Sequence, residues 1–227
     1  AIAIRRQFGG TVLPVRARSW AALRPELPPP LVVRDALLVS AESARKKLAA
    51  LARAHPSRAV ISIPPEMAFG TGHHATTATV LRLLVDFSKS RDGKPWTLCD
   101  LGTGSGVLAI AAAKLGAKAV RGFDFDPHAI RVALRNVRRN GVRGVRVEEA
   151  DVLRLRSGPR HDCVTANLFS DVLIAAFPRI VRTLKPVANP GLKPSWFTPA
   201  ARKEIAAGGD DRGDPAKVGA PPEPPQE

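Results

Sequence analysis

Residues 97–184 alternate short apolar runs with stretches of helical periodicity, and this alternation constrains the fold of the 227-residue chain more than any other feature. TLCDL (97–101), AVRGFDF (119–125), VRVEEA (145–150) and DCVTANL (162–168) read as strands, with helices expected at 105–115, 127–139 and 170–184. Strands that alternate with helices of this length form βαβ units, which pack as a parallel sheet covered on both faces. The expected fold class is therefore α/β, a doubly wound, Rossmann-like sheet. One ordinary domain with a small appendage suits this length.

The flanks are less regular. Residues 1–30 are rich in Arg and Pro and read as an extended arm. LVVRDALLV (31–39) suits a strand, Ser40 suits the cap of a helix through about residue 54 with Ala44, Leu48 and Leu51 on one face, and AVISI (59–63) suits a second strand. A glycine-hinged loop then leads into a helix at 75–87 whose apolar face is Val80, Leu81, Leu84 and Phe87. From Pro186 onward 14 of 42 residues are Gly or Pro, which points to a largely disordered tail, with a short helix possible only at 196–207. The expected organisation is an arm and strand–helix appendage at 1–57, a ligand-binding domain at 58–187 and a tail at 188–227.

The turn after the first strand of the regular region carries chemistry. Asp100-Leu101-Gly102-Thr103-Gly104-Ser105-Gly106 sits where a strand gives way to a helix, and glycines there let the backbone approach a ligand. Asp124 ends the following strand about 20 residues on, where an acid can accept both hydroxyls of a ribose. Gly-x-Gly-x-Gly differs from the dinucleotide spacing, and no Gly-Lys-Ser/Thr follows, so an adenosine without a pyrophosphate fits better. Asp126 suits the cap of the helix begun by Pro127. Asp151 suits either an adenine amino group or a solvated turn.

Composition narrows the function classes. The chain has 35 Lys+Arg against 20 Asp+Glu, a formal charge of +15, which suits an acidic or nucleic-acid partner. Arg outnumbers Lys by 25 to 10, as a GC-rich genome would also produce. No apolar run nears the roughly 18 residues of a membrane span and the amino end has no signal-peptide core, so a cytoplasmic location is expected. Cys99 and Cys163 are too few for a disulfide framework and read as buried thiols. His73 and His74 are adjacent and lack ligand-spaced carboxylates or cysteines, so no metal is expected.

DLGTGSGVLAIAAAKLGA (100–117), GFDFDPHAI (122–130), MAFGTGHHATT (67–77) and ANL (166–168) together resemble the family of S-adenosylmethionine-dependent enzymes that methylate ribosomal protein L-eleven. The resemblance covers roughly 58–186. It implies a class I methyltransferase fold with S-adenosyl-L-methionine as cofactor and a ribosomal protein, free or on the ribosome, as substrate. By it Gly102 and Gly104 underlie the cofactor, Asp124 holds the ribose, Thr77 lies near the methionine end, and Asn167 both binds the cofactor and faces the transferred methyl group. His74 matches the family's loop histidine. Family members continue past Leu184–Pro186 into further strands where this chain reads VANPGLKPSW, so the sheet is expected to lack its last edge strands.

Asn167 ends the fourth strand, where its side-chain carbonyl and the main-chain carbonyl of Leu168 can accept hydrogens from an amine. Thr76 and Thr77 occupy a first helical turn, where hydroxyls and free amides suit a carboxylate. Phe169 reads as core or as a stacking surface for the amine. Helix 127–139 turns Ile130, Leu134 and Val137 inward and Arg131, Arg135 and Arg138 outward, and with Arg139, Arg143 and Arg146 forms a basic strip that is either a solvated face or a contact for ribosomal RNA. An RNA or small-amine methyltransferase and a non-catalytic remnant are the competing readings.

Overall fold

The computed structural model describes residues 27–65, 74–156 and 158–186. Most of the arm, the loop 66–73 with His73, the tail and the helix expected at 196–207 lie outside the described residues. Within them, β1 (Leu31–Val33), β2 (Leu37–Ser40) and β3 (Ala59–Ser62) form one sheet in that order. A second, all-parallel sheet comprises β4 (Trp96–Leu101), β5 (Ala117–Asp124), β6 (Val145–Glu149) and β7 (Cys163–Ala166) in the order β6-β5-β4-β7. Five α-helices connect these strands: α1 (Arg45–Ala54), α2 (Ala75–Ser90), α3 (Val107–Lys114), α4 (Pro127–Arg139) and α5 (Ser170–Thr183). The α/β, Rossmann-like sheet expected from the alternation is present.

Strand periodicity divides the core. Leu98 packs with Val120, Ile61, Leu81 and Ile110 on one face of the parallel sheet, whereas Cys99, Leu101 and Phe123 pack with Val152, Ala176 and Ile180 on the other. Helix α3 reads VLAIAAAK and buries every residue from Val107 to Ala112, as a helix apolar all round must. The first core also takes in Val33, Leu37 and Val39, so both sheets share it. Asn140, after α4, joins them again by accepting from the Ser62 N–H at 2.8 Å and donating to the Ser62 carbonyl at 2.9 Å.

Several local expectations change. Residues 31–39 form a hairpin rather than one strand, because Arg34 adopts φ +53° and turns the chain so that Leu31 pairs antiparallel with Val39. Ser40 ends β2 instead of capping a helix: its hydroxyl accepts from the Glu42 N–H, while the Glu42 carboxylate takes the N–H groups of Ser43 and Ala44 before α1. The buried face of α4 is Ala129, Val132, Ala133, Asn136 and Val137, so Ile130 and Leu134 sit at its margin. Asp126 does cap α4, accepting from His128 N–H at 2.7 Å. Cys99 is buried as expected but Cys163 only half-buried, and burial pushes both thiols up to about 12.

The strand order reverses at β4: β5 and β6 lie on one side and β7 on the other. Such a reversal opens a crevice at the carboxyl ends of the strands, and open α/β sheets bind ligands there. Among the described residues β7 is an edge strand, and the chain leaving α5 makes a single parallel bridge between Leu184 and His161 beside it.

Candidate cofactor and active site

The glycine turn closes the carboxyl end of β4 and is held from two sides. The N–H groups of Gly102 and Thr103 both donate to the Phe123 carbonyl at 2.8 Å, fixing the turn to β5. Gly102 has φ +72°, and a Cβ there would run into the Leu168 side chain, so turn and post-β7 segment are in contact. Gly106 has φ +80°, and its Cβ would meet that of Ala133 at 3.2 Å. Two separate requirements, backbone hand and close approach, thus select glycine.

Asp124 ends β5 and is 9% exposed. One carboxylate oxygen accepts from the Gly104 N–H at 2.8 Å and the other from the Asp126 N–H at 3.1 Å. Each oxygen keeps a second lone pair, so the group has acceptor capacity for two neighbouring hydroxyls. The donor and acceptor chemistry here fits a ribose.

Thr77 is buried in the first turn of α2, and its hydroxyl accepts from the side-chain N–H of Asn167 at 3.0 Å. That bond leaves the Asn167 carbonyl oxygen without a partner among the described residues. Thr77, Gly102, Gly104, Asp124 and Asn167 therefore converge: Gly104 bonds Asp124, Asn167 bonds Thr77, and Leu168 closes on Gly102. His74 precedes α2 and its Nδ1 lies 2.7 Å from the Thr76 hydroxyl. Asp151 accepts from the Leu153 N–H and so caps the short turn Val152–Arg154. Phe169 is not core: it is 80% exposed at the start of α5.

Asp100, Thr165 and Asn136 belong to the site although the motifs assigned them no role. Asp100 is completely buried, and its two carboxylate oxygens accept from the hydroxyls of Thr103 and Thr165, each at 2.7 Å. Burial pushes its carboxyl up to about 6, against the pull of those two bonds. Asn136, also completely buried, donates to the Ser105 carbonyl at 2.9 Å and ties the turn to α4. The signals were an acid inside the apolar run TLCDL and an amide at an inward helical position.

A parallel sheet with this reversal, a glycine turn after the central strand and an acid at the end of its neighbour define a class I methyltransferase-type domain. The profile of the ribosomal protein L11 methyltransferase (PrmA) family matches residues 10–192. The chain belongs to that family. It is 47% identical over 135 residues to the ribosomal protein L11 methyltransferase of Pelotomaculum thermopropionicum, covering 59% of this chain and 42% of the relative. The Rhizobium rhizogenes enzyme of the same name is 36% identical over 192 residues, covering 76% and 65%. A crystal structure of ribosomal protein L11 methylase from Lactobacillus delbrueckii subsp. bulgaricus superposes with a TM-score of 0.49 at 32% identity, covering 56% of this chain and 62% of that one. The chain thus spans less than two thirds of the length of each of these relatives. Class I methyltransferases as a group use S-adenosylmethionine. No described helix is long and apolar enough to cross a membrane.

Proposed function

We propose that the chain binds S-adenosyl-L-methionine at the carboxyl end of β4 and β5 and directs its methyl group to an amine of a ribosomal protein. The observation that carries this reading is the convergence of Asp124, the glycine turn and the Thr77–Asn167 pair. In it Gly102 and Gly104 lie under the cofactor, Asp124 takes the ribose hydroxyls, and Thr77, at a helix amino terminus, lies by the methionine end. The cofactor-binding unit is assigned to residues 58–187, with 1–57 as an appendage and 188–227 as a tail.

The cofactor supplies a sulfonium methyl group open to displacement. This chain's residues must then deliver a neutral amine in line, because a lysine with an ordinary pKa of 10.4 is neutral in only about 0.04% of molecules at pH 7. The side-chain carbonyl of Asn167 accepts a hydrogen of the incoming amine, and the Thr77 bond fixes which end of the amide faces it. Asn167 is assigned as the catalytic residue on this ground. Positioning, rather than proton abstraction by an acid or base, does most of the work.

Arg131, Arg138, Arg143 and Arg146 are exposed and make no ion pair with the described residues. Arg146 stands in register beside Arg121, whose guanidinium is already taken by Glu148 at 2.8 Å. With Glu148 committed to Arg121, Arg146 and the three other exposed arginines are left to meet an outside anion such as a phosphate backbone. This supports contact with ribosomal RNA when the substrate is on the ribosome.

The test is labelled S-adenosylmethionine with intact large ribosomal subunits and with their free proteins, followed by separate nuclease and protease digestion. Label that survives nuclease and leaves with protein supports the reading. Label in RNA overturns the substrate class, and no label from a folded, cofactor-bound chain favours a non-catalytic remnant.

A further inference from the structure

We propose that Asp100 is a positioning residue that locks the glycine turn and the Asn167 segment to one another through the hydroxyls of Thr103 and Thr165. The inference rests on the methyltransferase reading above and adds a residue whose two carboxylate oxygens are each taken by a threonine hydroxyl of the site.

Asp100 and Thr165 are direct register partners on β4 and β7. The Thr165 hydroxyl donates across that strand pair to one oxygen of Asp100, and the Thr103 hydroxyl donates to the other from inside the turn, both at 2.7 Å. One carboxylate therefore spans two elements that carry different halves of the site. Thr103 lies between Gly102 and Gly104, and Thr165 lies two residues before Asn167. Among the described residues β7 has a strand neighbour only in β4, with the His161–Leu184 bridge just before it on the other side, so along Cys163–Ala166 its register against the turn is set from the β4 side. Leu168, filling the space over Gly102, is the second contact in the same direction.

The choice of residue types argues for position over stability. A completely buried carboxylate is costly, and an apolar strand residue would be cheaper at this point. One carboxylate offers both hydroxyls an acceptor on separate oxygens, whereas a carboxamide offers one acceptor and must turn its N–H on the other hydroxyl, which then has to reverse its role. Thr103 also fills the space over Gly122, where a Cβ would lie 2.9 Å from its hydroxyl oxygen, so its rotamer is set by packing and the bond direction with it. The result is a short, directional link whose length is fixed, and methyl transfer in line is sensitive to displacements of about 1 Å.

The experiment compares the full chain with Asp100→Asn, Thr165→Val and Thr165→Ser. Amide hydrogen exchange is read without cofactor at Gly104 and at Ala166–Leu168, and single-turnover methyl transfer is read at saturating S-adenosylmethionine. Asp100→Asn and Thr165→Val should each raise exchange in both segments about fivefold or more, while exchange in the core of α3 stays unchanged. Their transfer rates should fall about tenfold or more with KM for the cofactor little altered, Thr165→Ser should restore both readouts, and Asp100→Asn/Thr165→Val should be no worse than the poorer single variant. Exchange that rises in only one segment, additive losses in the double variant, or Thr165→Ser no better than Thr165→Val would overturn the proposal. If the unaltered chain transfers no methyl group, the methyltransferase reading fails, and the exchange pattern still decides the lock.

Discussion

The side chain of Asn167, just beyond β7, donates to the hydroxyl of Thr77 at 3.0 Å, a link between residues 90 positions apart. It joins α2 to the segment that faces the acceptor amine in our reading. On that reading one side chain has two tasks: its N–H end holds α2, and its carbonyl end is kept for substrate.

Asn167→Ala should therefore cut methyl transfer by about 10²–10³ while leaving cofactor affinity within several-fold, as for a group that orients the reacting atom. Thr77→Val should cost less in rate, because it removes the bond that orients the amide and leaves the amide itself in place, and it should also weaken cofactor binding through the hydroxyl lost at the methionine end. Rapid-quench kinetics beside calorimetry separates the two effects, and equal losses of rate and cofactor affinity in Asn167→Ala would assign that residue to binding instead.

Gly102 carries both a left-handed φ of +72° and the packing of Leu168 over its α-carbon. Gly102→Ala should destabilise by about 1–2 kcal/mol for the backbone and by about 1–3 kcal/mol for the overpacking. Combining it with Leu168→Ala should lose less stability than the sum of the single changes. Urea midpoints of the four proteins check this, and strict additivity would show that Leu168 does not close on the turn.

The strands, their parallel order and the glycine turn were legible because period-2 alternation and strand–turn–helix punctuation are local. The hairpin at Arg34 was not, since LVVRDALLV contains no Gly, Pro or Asn to announce a positive φ and the turn is imposed by pairing of Leu31 with Val39. Phe169 looked like core beside Leu168 and Val172, yet a residue just before a helix can face solvent while its neighbours face in. Site residues named from motifs converge, whereas Asp100, Thr165 and Asn136 act through partners 31 and 65 residues away that no local pattern reveals.

Asp162 gives a pH dependence of known sign. Burial works against its charge, but bonds from Lys185 at 2.9 Å and from the Thr97 N–H and hydroxyl at 2.9 and 2.8 Å outweigh it and hold the carboxyl below its ordinary value. A depressed carboxyl adds stability that is present above its unfolded pKa of 3.8 and is lost as pH falls through the lower folded value. Asp162→Asn should thus be less stable than the unaltered chain at pH 5–7, with the gap closing below about pH 4. Chemical denaturation at stepped pH reads the gap, and one that widens on acidification would contradict the assignment.

Asp100 has the opposite sign. Its carboxyl is raised to about 6, so its contribution is fully present below pH 3.8 and is lost as pH rises through about 6. Asp100→Asn should then gain stability relative to the unaltered chain between pH 5 and 7, even as its transfer rate falls. A parallel loss of stability and rate across that range would make Asp100 a structural residue only.

The most direct test of cofactor binding is calorimetric titration of the 227-residue chain and of Asp124→Ala with S-adenosylmethionine, with thermal midpoints recorded to confirm folding. Asp124→Ala removes two hydrogen bonds to a charged acceptor, each worth about 1.5–3 kcal/mol, so its affinity should fall at least about tenfold. Equal affinity in the two proteins, or no binding by the folded unaltered chain, would contradict the site described above.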